Sequence, residues 1–137
     1  MAKLSDIHDA FLFVSSGAYA DNVAVLCKDT GEILYRSNLG DIDEIEDKEL
    51  DLDVCVEIPH KNDLDLGQEL VFEFVETYLP DGYERVRQIF RRRGAYGRFK
   101  DLLERRGLLQ RWYDFETQRE EEALRDWCKE NEIELSG

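Results

Sequence analysis

The chain has 137 residues, of which 42% are apolar and 36% charged, and its formal net charge at pH 7 is −14. This length and apolar fraction are enough for one domain with its own core. No stretch approaches the roughly 20 apolar residues that a membrane-spanning helix needs, and the first residues lack the apolar centre of a secretion signal. We therefore expect a cytoplasmic protein that does not enter a membrane.

The cysteine pattern favours the same compartment. Cys27, Cys55 and Cys128 are widely separated and form no Cys-x-x-Cys pair. Such spacing suits a reducing cytoplasm and argues against a disulfide framework or a zinc ribbon. The sequence also contains no glycine-rich phosphate loop and no metal-spaced set of histidines and cysteines, so we expect no cofactor and no metal.

The first predicted elements are a helix and a hairpin. Ser5 should cap the helix, which ends at residues 15–17. Residues 21–27 and 32–36 are rich in apolar and β-branched side chains, and Gly31 between them supplies the positive φ that a short turn needs. The helix should bury one stripe at helical spacing: Ile7, Ala10, Phe11 and Val14.

The segment 41–53 is strongly acidic, with eight carboxylates against Lys48 alone. A calcium-binding loop that started at Asp41 would need a glycine at its sixth position, where this sequence has Glu46. The pattern therefore favours a solvated loop over a calcium site. A second hypothesis is that this loop lies near the basic helices described below and neutralises them.

Residues 54–58 alternate in hydropathy well enough for a third strand, which Pro59 ends or places at an edge. His60 follows directly. A lone histidine at a strand end is more often a hydrogen-bonded structural residue than a catalyst, and nothing nearby marks a nucleophile. We therefore assign no catalytic residue.

The second half of the chain is predicted to be mainly helical. Residues 65–79 form a strongly amphipathic helix, and Asp81 should cap the next one with Glu84 completing a capping box. Two basic helices and a further amphipathic stretch over residues 108–128 follow, and residues 133–135 are long enough for a short strand. The buried face of the first of these helices should contain Leu70, Val71, Phe74, Val75 and Tyr78.

These elements predict the α+β class in a single domain over residues 1–137. Residues 1–60 should form an N-terminal helix and a small, mostly antiparallel sheet of about three strands. Residues 61–137 should form the helical C-terminal half, with the option of a short fourth strand at its end. Trp112 and Trp127 are at helical spacing beside leucines, so we expect them in the core.

Basic residues concentrate in residues 85–111. Ten basic side chains there face only Asp101 and Glu104, which gives the segment a local charge of +8, whereas the rest of the chain carries −22. The chain is therefore strongly polarised along its sequence. The ten are Arg85, Arg87, Arg91, Arg92, Arg93, Arg98, Lys100, Arg105, Arg106 and Arg111.

Two interpretations of this basic segment stay open. In the first, Gly94 and Gly107 are left-handed caps, the arginines solvate and cap helices, and Asp101 pairs with Arg98 and Arg105. In the second, the segment is a binding surface with tyrosines available for stacking. The candidate binding residues are Arg91, Arg92, Arg93, Tyr96, Arg98, Lys100 and Tyr113.

The basic segment and the aromatic residues after it resemble a bacterial uncharacterised protein family. Its members usually carry Gly-Arg-Gly-Ala-Phe/Tyr-Arg-Arg-Phe-Lys-Asp followed by Trp-Tyr-x-Phe. Here Arg92 is found where a glycine is usual, and Gly97 where an arginine is usual. The resemblance implies a cytoplasmic bacterial α+β domain and implies no activity. It rests on Gly94-Ala95-Tyr96-x-Arg98-Phe99-Lys100-Asp101, Trp112-Tyr113-x-Phe115, Trp127, Thr30-Gly31-Glu32 and Ile58-Pro59-His60.

Three functions follow from these patterns, in order of preference. The first is a non-enzymatic interaction or regulatory domain that binds another protein through its polarised charge. The second is the binding of nucleic acid or another phosphate ligand by residues 91–100, which the overall negative charge disfavours. The third is a small enzyme that uses carboxylates and His60, for which the sequence offers residue types without an arrangement.

Overall fold

The computed structural model describes residues 2–18, 21–37, 43–45 and 53–136, and it has the predicted α+β organisation. Helix α1 is followed by a three-stranded antiparallel sheet and then by four more helices. The helices are α1 Leu4–Ser15, α2 Gln68–Tyr78, α3 Tyr83–Ile89, α4 Ala95–Arg105 and α5 Leu109–Glu130. The strands are β1 Asn22–Cys27, β2 Ile33–Ser37 and β3 Cys55–Glu57, and 3₁₀ turns occupy Lys61–Leu64 and Pro80–Gly82.

The chain forms two compact units. The first contains Met1–Leu64 together with Glu120–Gly137, and the second contains Asp65–Arg119. Helix α5 contributes residues to both units. The expectation of a single domain over residues 1–137 stays a prediction.

In the first unit, β1 is the central strand, with β2 on one side and β3 on the other. Gly31 has a φ of 77° in the turn between β1 and β2, which confirms the predicted hairpin. The stripe predicted for α1 is buried in full, so helical periodicity identified its inward face correctly. The buried residues of α1 are Ile7, Ala10, Phe11 and Val14, and those of β1 are Val23, Ala24, Val25 and Leu26.

At the ends of this unit, the predicted cap of α1 was wrong and the optional fourth strand is reduced to a single bridge. Helix α1 begins at Leu4 after Lys3, and no side chain caps it, so Ser5 lies inside its first turn. The residues near the C-terminus do not extend the described sheet, because Leu135 forms only an isolated parallel bridge with Ala2. The Ala2 amide donates a hydrogen bond to the Glu134 carbonyl at 3.2 Å, and this bond belongs to the single bridge.

Most of the acidic segment lies outside the described residues, and so do the solvated loop predicted there and the hypothesis that this loop neutralises the basic helices. Of its described residues, 43–45 lie beside β2. The Glu44 amide donates to the Tyr35 carbonyl at 2.8 Å, and the Glu44 carboxylate accepts from the Tyr35 amide at 3.0 Å. This part of the segment is therefore held by the strand next to it.

The core of the second unit is built on three aromatic rings. Trp112 of α5 lies 5.3 Å from Phe74 of α2 and 5.2 Å from Phe99 of α4, measured between ring centroids, and both contacts are edge-to-face. All three side chains are almost completely buried. Such geometry favours aromatic pairs because the positive edge of one ring meets the negative face of another. The prediction of Trp112 as a core residue is confirmed.

The start of α2 and the exposure of its last residue differ from prediction. Asp65 has a φ of 56°, which a helix does not accept, so α2 begins only at Gln68 after Gly67. Tyr78 is 37% exposed rather than buried, and the guanidinium carbon of Arg111 lies 5.1 Å from its ring centroid. A cation over the ring gives this exposed tyrosine a polar environment that the periodicity could not indicate.

The predicted capping box at the start of α3 was wrong. No side chain caps α3, and Asp81 lies in the preceding 3₁₀ turn. Its carboxylate accepts hydrogen bonds from the Arg106 guanidinium at 2.9 and 3.3 Å. The carboxylate of Asp81 therefore bonds to a guanidinium 25 positions away in the chain and does not cap α3.

Two glycines three positions apart in the sequence should respond in opposite ways to replacement by alanine. Gly94 has a φ of 73° and Gly97 lies within helix α4, and a Cβ at either position meets nothing within 4 Å. Gly94→Ala should lower the free energy of unfolding by about 1–2 kcal/mol, because a Cβ disfavours left-handed backbone. Gly97→Ala should raise it by about 0.5–1 kcal/mol, because alanine is the better helix former.

Urea denaturation followed by circular dichroism measures both changes, and the slope with denaturant should stay constant in each variant. A shift in the same direction for Gly94→Ala and Gly97→Ala would contradict the assigned backbone conformations.

Candidate anion-binding groove

Helices α3 and α4 contribute to a groove on the second unit with a volume of about 520 Å³, which we call the arginine groove. A second hollow of about 210 Å³ shares Arg85, Ile89 and Arg98 with it. The groove is lined by Arg85, Gln88, Ile89, Arg91, Arg92 and Arg98, and the second hollow adds Asp101, Leu102 and Arg105.

The amphipathic pattern of the two helices places these arginines at the surface. In α3 the side chain of Val86 is completely buried, which leaves Arg85 and Gln88 exposed beside it. In α4 the buried face points inward, so Arg98 and Arg105, seven residues apart, lie on one outer stripe. The buried face of α4 consists of Phe99, Leu102 and Leu103.

The turn between α3 and α4 supplies the remaining arginines. The Arg91 amide donates to the Gln88 carbonyl and the Arg92 amide to the Ile89 carbonyl, both at 3.3 Å, so the backbone continues the last turn of α3. Gly94 has the predicted left-handed backbone, but it is the N-cap residue of α4 and does not end α3, whose last residue is Ile89. Both arginines are exposed and border the groove from this turn.

The groove arginines differ from their neighbours in how their charge is balanced. Arg87 pairs with Glu84 at 3.2 Å, and Arg106 pairs with Asp81. No such ion pair within 4.0 Å links the guanidinium of any groove arginine, or of Arg105, to another residue in the described ranges. Unbalanced guanidinium groups in one concave surface favour an anion, because each planar fork can bind two oxygens.

The predicted pairing of Asp101 was wrong. Asp101 borders the same hollow as Arg98 and Arg105, yet its carboxylate forms an ion pair with neither of them. All three side chains are exposed. Water competes well for exposed charges, and ordering two long side chains costs conformational entropy, so helical spacing alone does not ensure a pair.

The beginning of α4 adds to the positive potential. This helix has no side-chain cap and no acidic residue in its first turn. The free amides at a helix N-terminus carry a partial positive charge and favour anions. Because Arg98 lies just beyond these amides, the helix end and the guanidinium groups attract the same kind of ligand.

The seven predicted binding residues fall into separate places. Arg91, Arg92 and Arg98 line the groove, whereas Arg93 is exposed but does not. The groove arginine that the prediction missed is Arg85, and Arg105 borders the second hollow. The spacing of seven residues could have placed Arg105 on the same helix face as Arg98. The position of Arg85 could not be predicted in this way, because it depends on how α3 packs against α4.

The predicted aromatic residues are engaged in other contacts. Tyr96 is half-buried and lies edge-to-face with Phe90 at 5.1 Å between ring centroids. Burial raises the pKa of the Tyr96 hydroxyl, and nearby Glu116 adds to the effect. Tyr113 is 38% exposed, with the Lys100 ammonium 5.6 Å from its ring centroid. Each ring therefore already has one neighbour with which a stacked base would have to share it.

His60 is a buried structural residue, 5% exposed. Its Nδ1 accepts a hydrogen bond from the Asn62 amide at 3.1 Å, so the hydrogen lies on Nε2, which donates to the Gly17 carbonyl at 2.9 Å. Proton transfer by this ring would break one of these two bonds. Within the described residues, no three histidine, cysteine or acidic side chains are grouped as a metal site.

The pair between Asp81 and Arg106 gives a measurable pKa. The Arg106 hydrogen bond lowers the pKa of the Asp81 carboxyl from its ordinary value of 3.8. Arg106→Gln should raise this pKa towards 3.8, whereas Arg105→Gln should leave it unchanged because Arg105 has no contact with Asp81. The check is a titration of the side-chain carboxyl carbon by NMR, and equal values in both variants would contradict it.

The lowered pKa of Asp81 determines how this pair changes the stability of the protein with pH. The pair stabilises the folded protein above about pH 4, where the unfolded carboxyl is ionised. That contribution is lost as the pH falls through the lower folded pKa of Asp81. It should be small, because the pair is exposed and solvent screens its charges.

In residues 2–18, 21–37, 43–45 and 53–136, no helix has both the length and the hydropathy for a membrane span.

Comparisons with known proteins place the chain in a family. No curated protein and no solved structure matches the chain. A family model matches residues 16–136, which is most of the chain, and the chain therefore belongs to the Uncharacterised protein family (UPF0158).

Proposed function

We propose that this protein is a non-enzymatic interaction domain whose arginine groove binds the carboxylates of an acidic protein partner. The observation that carries the proposal is the contrast in charge balance on one surface. Arg87 and Arg106 are paired with carboxylates, whereas Arg85, Arg92 and Arg98 are not paired in this way with any described residue.

The lining of the groove suits a peptide better than a bare anion. Ile89 and Gln88 lie among the arginines, so the surface offers apolar contact and amide hydrogen bonds as well as charge. A protein segment with acidic and apolar side chains uses all three. Interfaces between proteins are enriched in arginine for this reason, since its stem packs on apolar groups while its head binds oxygen.

The overall charge supports a protein partner over a polyanion. The chain carries −14 in total, so an extended nucleic acid would meet repulsion away from the basic segment. A compact acidic patch on another protein can contact the groove alone. Complementary charge would then speed association and favour this partner over neutral surfaces. The proposal places this interaction in the bacterial cytoplasm.

The groove arginines also support a second candidate, which is the binding of nucleic acid or another phosphate ligand. A guanidinium fork fits phosphate as well as carboxylate, and the uncapped start of α4 favours either anion. The two candidates differ in salt dependence. Phosphate contacts along a nucleic acid release condensed ions, so binding weakens steeply between about 50 and 200 mM salt.

Two double variants with the same change in charge test the proposal. Arg92→Glu with Arg98→Glu reverses two groove residues, and Arg93→Glu with Lys100→Glu reverses two residues outside the groove in the same segment. Circular dichroism should show the same helix content in both. Against a fluorescent peptide rich in glutamate and leucine, the first variant should bind about tenfold more weakly or worse, and the second should bind within about twofold of the natural protein.

Fluorescence anisotropy at near-physiological salt measures these affinities, with duplex DNA and single-stranded RNA as parallel probes. Tight, strongly salt-dependent binding of either nucleic acid, lost in the groove variant, would establish the second candidate. Equal binding of the acidic peptide by both variants would refute the groove as an interface. If only the groove variant loses binding, a pull-down from bacterial lysate with the same two variants would identify the partner that this variant no longer binds.

A further inference from the structure

Two cysteines that are 28 positions apart in the chain lie opposite each other in the sheet. Cys27 is the last residue of β1 and Cys55 is the first residue of β3, and the antiparallel register pairs them directly. On either side of them, the Lys28 amide donates to the Val54 carbonyl at 2.7 Å and the Ile58 amide to the Ala24 carbonyl at 2.8 Å.

These hydrogen bonds define the kind of pair that the cysteines form. Hydrogen-bonded and non-hydrogen-bonded pairs alternate along an antiparallel ladder. Since Lys28 pairs with Val54 through a hydrogen bond, the adjacent pair of Cys27 and Cys55 is a non-hydrogen-bonded one. Opposite Cα atoms in such pairs are about 4.5 Å apart, which is within the range that a disulfide spans.

The two cysteine side chains are close together. The Sγ atoms of Cys27 and Cys55 are 3.1 Å apart, and both residues are half-buried rather than fully buried. A disulfide bond is about 2.05 Å long, so closing it needs a movement of only about 1 Å. The third cysteine, Cys128, is 1% exposed, which sets it apart from this accessible pair.

We propose that Cys27 and Cys55 are a redox modification site and form a reversible intramolecular disulfide by exchange with a low-molecular-weight disulfide such as oxidised glutathione. The Cys55 thiolate attacks one sulfur of the oxidant, which releases one thiol. Cys27 then attacks the sulfur of Cys55 in the mixed disulfide and releases the second. Two protons and two electrons leave the protein, and the oxidant is reduced to two thiols.

The order of these two steps follows from the surroundings of Cys27. Burial, the neighbouring Cys55 thiol, and the carboxylates of Asp29 and Glu32 raise the pKa of the Cys27 thiol to about 11. Because only a thiolate attacks a disulfide, Cys27 is a poor first nucleophile at neutral pH. It acts in the second step, where its position beside Cys55 makes the attack intramolecular.

The bond would attach an edge strand to the centre of the sheet. β3 has three residues and pairs only with β1 in the described sheet. A bridge between Cys27 and Cys55 would also close the chain between them, which contains the acidic segment. Closing a loop of this length restricts the unfolded chain, so oxidation should raise the Tm by about 5–10 °C. In a cytoplasmic protein, a disulfide of this kind is typically transient and sensitive to redox state.

The test equilibrates the full-length, fully reduced protein with mixtures of reduced and oxidised glutathione, followed by acid quenching, alkylation and intact-mass measurement. We expect two of the three cysteines to escape alkylation. The measured mass should then equal that of the reduced protein minus two hydrogen atoms, plus one alkyl group. Peptide mapping should identify the bond between Cys27 and Cys55. Dithiothreitol should restore three alkylated cysteines.

Three variants make the result specific to this pair. Cys27→Ser and Cys55→Ser should each abolish the intramolecular bond, whereas Cys128→Ala should keep it. The proposal is overturned if the natural protein keeps three alkylatable cysteines under oxidising mixtures or stops at a mixed disulfide with glutathione. It is equally overturned if mapping finds a bond to Cys128 or only bonds between chains.

Discussion

Burial of the Trp112 indole against Phe74 and Phe99 is the contact on which the helical unit depends. Each ring comes from a different helix, so the cluster fixes α2, α4 and α5 of this unit together. Removing three large aromatic side chains from water supplies more free energy than any surface charge in the same unit. The groove arginines can therefore stay without an ion pair to a described residue and not endanger the fold.

Stability and the proposed binding would therefore use opposite faces of the same helix. Helix α4 holds Phe99 and Leu103 completely buried, and on its other side it presents Arg98. Repulsion between the groove arginines costs some stability, and an anionic ligand would remove that repulsion on binding. A surface whose arginines have no ion pair to a described residue differs from an ordinary solvated helix face, where opposite charges usually alternate and pair.

Local patterns predicted those parts of the fold that local physics controls. The stripe of α1, the hairpin turn at Gly31 and the left-handed Gly94 depend on neighbours within a few residues, and all three were predictable. The partner of Asp81 and the pairing of Cys27 with Cys55 depend on chain segments 25 and 28 positions away. Composition indicated that arginines cluster, but not which of them would border one groove, because that depends on tertiary packing.

The open space around Gly97 has a consequence for how this surface can change. A Cβ there meets no atom within 4 Å, and the position lies one helical turn before Asp101 at the edge of the basic surface. A Cβ at this position would therefore fit without repacking the core. The charge of this face is thus adjustable by a single substitution, and an arginine at this position would add a guanidinium to the exposed side of α4. The buried face of α4 would stay the same.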